Sequence, residues 1–256
     1  MLAGVTLCWI LFLRRAKRLG YSFYTIFAWL LLGLPVGTLG AHLFNKIIPA
    51  LAGNGDGSHS FLGLTVIGSF ISCLIYGYLY IKYVIKAPPM QLMDAVAFTF
   101  PLAILIGRIG CLLGGCCYGR IAPDSIKNSF LSVFTLPVNC YVPPSQAWQE
   151  YHDIPHDPLI WNLPLFLMIN ALAALVVTEY IYRKRGVFNL YPGTVFAATC
   201  TLYAGGRFVV EFTRQERIVA DSMFNPWQLA IGLLFVISFL WLSFCLYRRK
   251  PSNPKA

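Results

Sequence analysis

The chain has 256 residues, 57% apolar and 12% charged, and its 20 lysines and arginines against 10 aspartates and glutamates give a formal net charge of +10. A mean hydropathy of +0.64 lies far outside the range of soluble domains and excludes that class. The basic excess does not make a nucleic-acid surface, because no basic stripe interleaves with exposed aromatics.

The first apolar run, LAGVTLCWILFL at 2–13, is too brief to span a bilayer comfortably. It lacks the basic n-region and the small-residue cleavage site of a signal peptide, and a truncated or misassigned start stays open. Longer runs follow at 21–48, 61–85, 92–113, 162–182, 191–212 and 226–247. The expected fold is therefore all-α, a polytopic membrane protein of about seven transmembrane helices in one integral-membrane domain over 1–256. Basic clusters set its orientation: RRAKR (14–18), Lys82 with Lys86, RKR (183–185) and RRK (248–250) all fall on one side of a seven-span chain. By the positive-inside rule that side is cytoplasmic, which puts the N-terminus outside and the C-terminus in the cytoplasm. There the clusters meet the anionic lipids of the inner leaflet.

The outward segment at 118–161 is the one long stretch that is not apolar. Its APDS, PVNCYVPPSQ and HDIPHDP stretches are rich in proline and small polar residues, which predicts an irregular cap loop. Loops of this length in a compact protein usually serve function. Next, the run at 191–212 opens with YPG and carries AGGRF, whose glycines permit close helix–helix approach.

Charges inside apolar runs are costly and mark functional candidates. Arg108 stands near the outward end of the fourth run, between Gly107 and Gly110. Arg207, Glu211 and Arg214 lie in GGRFVVEFTRQER at the outward end of the sixth, at spacings of four and three that stack them on one helical face. Together these residues predict a net positive pocket at the outer boundary of the membrane. Guanidinium forks match phosphate oxygens in a bidentate way, so the pocket suits a phosphate, with Glu211 orienting an arginine or acting as a base. The simpler alternative is a helix-end ion pair between Arg207 and Glu211, with Arg214 reaching for the interface.

Cys8, Cys73, Cys200 and Cys245 lie in apolar runs and read as buried small residues. Cys111, Cys116, Cys117 and Cys140 gather on the outward side, where a disulfide from Cys140 to Cys116 or Cys117, a reactive thiol and a metal site all stay open. The Cys-x4-Cys-Cys spacing is not a familiar metal pattern, and no metal or organic cofactor is implied. His42, His59, His152 and His156 are candidate bases, with His59 favoured by its loop.

GRIGCLLGGCCYGR (107–120) together with GGRFVVEFTR (205–214) resembles the prolipoprotein diacylglyceryl transferase family of bacterial inner membranes. RRAKRLG and SFLGLTVIG sit where that family has similar stretches, so the resemblance covers most of the chain. It implies a multi-pass enzyme of the inner (plasma) membrane that transfers the diacylglyceryl group of phosphatidylglycerol to a lipobox cysteine thiol, releasing glycerol phosphate. The partners it implies are phosphatidylglycerol, the signal-peptide region of a prolipoprotein and membrane lipids. Carried over, Arg108, Arg207 and Glu211 are the catalytic residues. Gly107, Gly110, Gly119, Arg120 and Arg214 match motif positions expected to bind substrate.

Departures fall around the thiol. Cys111 and Cys116 stand where the family has an asparagine and a glutamate, and they join the substrate-binding set by position. The family's histidine falls on Leu62, leaving His59 nearby but out of register, and the N-terminal tyrosine segment has no counterpart. A PSQLYE-like motif matches either PSQAWQE (144–150) or HDPLIWN (156–162). Two other readings follow from these changes: a phospholipid-binding paralogue without activity, and a membrane thiol oxidoreductase centred on Cys116 and Cys117.

Overall fold

A computed structural model describes residues 2–51, 62–115, 117–140, 145–151, 158–213 and 226–248. Every apolar run becomes helix: α1 (Leu2–Arg18), α2 (Phe23–Leu51), α3 (Leu62–Tyr80), α4 (Pro89–Val96), α5 (Thr99–Gly114), then, after a short α6 (Gln146–Tyr151), α7 (Leu163–Lys184), α8 (Thr194–Glu211) and α9 (Pro226–Tyr247). Among the described residues, four stretches are long and apolar enough to cross a membrane: Phe23–Leu43, Pro89–Gly114, Leu163–Lys184 and Gln228–Tyr247. Only 17–22% of each is buried, so their apolar faces, such as Leu233 and Leu240 of α9, point outward as a bilayer requires. The protein is a helical membrane protein.

The chain divides into two compact units, Trp9–Ala95 and Met1–Cys8 with Val96–Ala256. In the first, α2 and α3 pack through small residues. Gly40 has no room for a Cβ beside Ser72, and Ser69 Oγ donates to the Gly37 carbonyl at 2.6 Å. Tyr76 and Tyr80 donate to the carbonyls of Trp29 and Thr25 at 3.3 and 3.2 Å. Phe12 is buried edge-on against Trp29, and Arg15 Nη1 donates to the Ala95 carbonyl at 3.3 Å. After α3 the helix widens into a π turn at Ile81–Ile85 and stops at Lys86, which is left-handed at φ 55°, just ahead of Pro88 and Pro89.

The second unit holds α5, α7, α8 and α9. The expected run at 92–113 is interrupted: α4 ends at Val96 and α5 starts at Thr99, where the Thr99 hydroxyl donates to the Val96 carbonyl at 2.6 Å. α7 packs against both α5 and α8, and α8 against α9. The glycines of α8 permit this closeness. A Cβ on Gly205 would stand 3.1 Å from the Phe235 ring, and one on Gly206 would collide with the Asn170 amide. That amide donates to the Tyr203 carbonyl at 3.0 Å. Deeper in, the Thr178 and Thr199 hydroxyls meet at 2.8 Å.

The described part of the 118–161 segment adds a small sheet to the expected all-α fold, while 141–144 of PVNCYVPPSQ and 152–157 of HDIPHDP lie outside the described residues. Strands β1 (Thr135–Pro137) and β2 (Leu159–Trp161) pair antiparallel, with Leu136 opposite Ile160. On its other edge β2 meets 119–122: Gly119 N donates to Trp161 O at 3.0 Å, Trp161 N to Arg120 O at 3.1 Å and Ala122 N to Leu159 O at 2.8 Å. Val138, Ala147, Tyr151 and Ile160 form a core of their own beneath Tyr118, Leu136 and Trp148. Asn162 caps α7 by accepting from Leu165 N at 3.2 Å, and Phe134 stacks on Phe166 at 5.2 Å, which seats this cap on the first turn of α7. Cys140 is a free, exposed thiol and makes no bridge to Cys117, while Cys116 lies outside the described residues. Cys8, Cys200 and Cys245 are buried as their runs suggest, but Cys73 is exposed, its sulfur donating to the Gly33 carbonyl at 3.7 Å.

Candidate active site

The C-terminal halves of α5 and α8 carry the charges. On α8, Tyr203, Arg207 and Glu211 follow one another at four-residue steps and therefore share one face. Arg207 Nη1 is ion-paired with Glu211 Oε2; the carboxylate side chain is buried at 2% exposure and the arginine partly buried at 13%. Arg108 of α5 donates to the Tyr203 hydroxyl, which itself lies within electrostatic reach of Arg207 and Glu211. The Tyr203 ring is fixed edge-on against Phe100 of α5, with centroids 5.1 Å apart. Two helices thus converge through one phenol. Two guanidinium groups and one carboxylate surround it, leaving one positive charge in excess.

α5 ends in a left-handed turn at Gly115, φ 58°, a conformation that suits glycine. Past this turn, Cys117 comes back against the helix it has just left, and Arg108 Nη1 donates to Cys117 Sγ at 3.4 Å and to Cys111 Sγ at 3.9 Å. Among the described residues, no neighbouring side chain or helix comes within 4 Å of where a Cβ would stand on Gly107 or Gly110, which lie three residues apart on one open face of α5 beside Arg108.

Gly119 and Arg120 have a different setting. A Cβ on Gly119 would come within 2.6–2.8 Å of Trp161 and of the Thr213 carbonyl, so this glycine permits a backbone crossing. Arg120 N donates to Thr213 O at 3.0 Å while its side chain is exposed. The crossing ties the cap to the chain just beyond α8. His59, Cys116 and Arg214 lie outside the described residues, as do His152 and His156; His42 is exposed on α2.

Tyr203 and Asn170 escaped the sequence reading. A signal for Tyr203 was present, since it stands one turn before Arg207 on the face that Glu211 continues. Asn170 is a polar residue inside an apolar run, which is the same signal that singled out Arg108. Among the described residues, no group of three or more histidines, cysteines or carboxylates is arranged to hold a metal ion. Chemically, the cluster offers fixed positive charge, a phenol and a carboxylate at the end of apolar helices, and it suits a lipid phosphate.

The family model for "Prolipoprotein diacylglyceryl transferase" matches residues 1–247. The chain belongs to this family. Similar proteins include the phosphatidylglycerol–prolipoprotein diacylglyceryl transferase of Clostridium tetani, 27% identical over 96% of this chain and 91% of its own. The enzyme of that name from Clostridioides difficile is 24% identical over 99% and 91%, and that from Staphylococcus aureus strain Newman 29% over 75% and 61%. In this member of the prolipoprotein diacylglyceryl transferase family, the arginines of the two recognised motifs meet at Tyr203, although the motifs are about a hundred residues apart in sequence.

Proposed function

We propose that the protein transfers the diacylglyceryl group of phosphatidylglycerol to the thiol of a lipobox cysteine in a prolipoprotein, at the outer face of a bacterial inner membrane. The observation that carries this reading is the joining of Arg108 to the Arg207–Glu211 pair through Tyr203, in a member of this transferase family. The acceptor sulfur attacks an sp3 carbon of the lipid glycerol as the carbon–oxygen bond to phosphate breaks. The bonding pair leaves with the phosphate, and glycerol phosphate is released. Charge builds on the leaving phosphate, so donors fixed in advance lower the barrier most where they point at it. Arg108 supplies such donors from α5 and Arg207 from α8, with Glu211 holding the Arg207 guanidinium in place. The open side of α5 at Gly107 and Gly110 gives a lipid room to approach Arg108.

This reading carries the finer topology with it: seven spans, the N-terminus outside and the four basic clusters in the cytoplasm. Its residue assignment is tested by Arg207→Ala in vesicles with labelled phosphatidylglycerol and a lipobox peptide. Transfer falls by about 10²–10³-fold, the scale for removing one charge-stabilising donor. Undiminished transfer by a folded Arg207→Ala protein would remove Arg207 from the mechanism.

A further inference from the structure

The transfer chemistry leaves Cys111 and Cys117 without a task, yet the fold brings both sulfurs to one atom. Cys111 lies on the last turn of α5, and the reversal at Gly115 returns Cys117 to the same place. Arg108 Nη1 is 3.4 Å from Cys117 Sγ and 3.9 Å from Cys111 Sγ. Both residues are thiols and partly buried, whereas Cys140 is exposed. A guanidinium beside a thiol stabilises the thiolate, the form that attacks oxidants. A second thiol within reach then resolves the first oxidation product before it is oxidised further.

We propose that Cys111 and Cys117 are an oxidisable dithiol, a modification site for hydroperoxides built around Arg108. The Cys117 sulfur attacks one peroxide oxygen, the O–O bond breaks, and hydroxide leaves as water after taking a proton; Cys117 becomes a sulfenic acid. Cys111 then attacks that sulfur and gives up its proton, the S–O bond breaks, a second water leaves, and the disulfide closes. Two thiols are oxidised and one hydrogen peroxide is reduced to two waters. Closure brings the sulfurs to bonding distance, about 2 Å, and removes the thiolate charge beside the Arg108 guanidinium. That alters the surroundings of Arg108 and with them the transfer reaction. This last consequence for transfer rests on the proposed function, but the disulfide does not.

The test uses the full chain in phosphatidylglycerol nanodiscs, treated with hydrogen peroxide, digested without reduction and mapped by mass spectrometry. Fragment ions separate Cys117 from Cys116, and a Cys116→Ser variant checks that assignment. A Cys111–Cys117 link forms about tenfold or more faster than Cys140 is oxidised, and dithiothreitol reverses it. In Cys111→Ser the link is absent and Cys117 proceeds to sulfinic acid. Cys117 that stays a thiol while Cys140 is oxidised, or that links to Cys140, overturns the proposal. Transfer measured on the same sample is a separate reading: an untreated protein that never transfers counts against the proposed function and leaves the disulfide result standing.

Discussion

At 2% exposure the Glu211 carboxylate would be an expensive charge by itself, and Arg207, one turn earlier on α8, lies directly against it. Breaking such a buried pair costs about 3–5 kcal/mol, because the surviving charge is stranded. Glu211→Gln therefore lowers the thermal midpoint in detergent and abolishes transfer together. The apolar double variant Arg207→Met with Glu211→Leu recovers most of the stability and none of the transfer, which separates folding from chemistry. Tyr203→Phe keeps the ring against Phe100 but removes the hydroxyl that Arg108 reaches. It leaves the thermal midpoint nearly unchanged and reduces transfer by about tenfold or more, the cost of one hydrogen bond to a charged group. Arg108, Arg207 and Glu211 were legible in the sequence because a charge inside an apolar run is itself a signal. Tyr203 was legible only as the neighbour one turn before Arg207; its contact with a second helix is something no spacing reports.

Helices were the legible elements and the cap was not. Apolar periodicity is local, so all the runs became helices, and AGG in α8 correctly indicated close approach. The described part of the cap is held by pairings distant in sequence, 119–122 with 159–161 and Arg120 with Thr213, which no local pattern reports. Gly119 is the element-scale test of that architecture. Its missing Cβ faces backbone on two sides, so Gly119→Ala forces the strands apart at about 1–3 kcal/mol. Limited proteolysis then cuts the cap of Gly119→Ala sooner than that of Gly107→Ala, whose new methyl meets open space. Equal cutting rates would mean that the crossing does not hold the cap.

Over the whole molecule, composition alone picks out four spans among the described residues, while the basic clusters argue for seven. For α8 the difference has a physical source, while α1 has only 17 residues and α3 with its π turn contributes the shorter apolar stretch Ile71–Ile85. α8 bears Arg207 and Glu211, and a helix that lines a charged site sacrifices the uniform apolarity by which spans are recognised. Reporter fusions after residues 18, 86, 185 and 250 should all report cytoplasm; any one outside breaks the seven-span order. Whether this arrangement transfers a diacylglyceryl group is decided with purified wild-type protein, labelled phosphatidylglycerol and a lipobox peptide. Label is expected on the peptide cysteine with one glycerol phosphate released per transfer, and none on a peptide with serine at that position. Lipid bound in proportion to protein, with no labelled peptide and no glycerol phosphate, would contradict it.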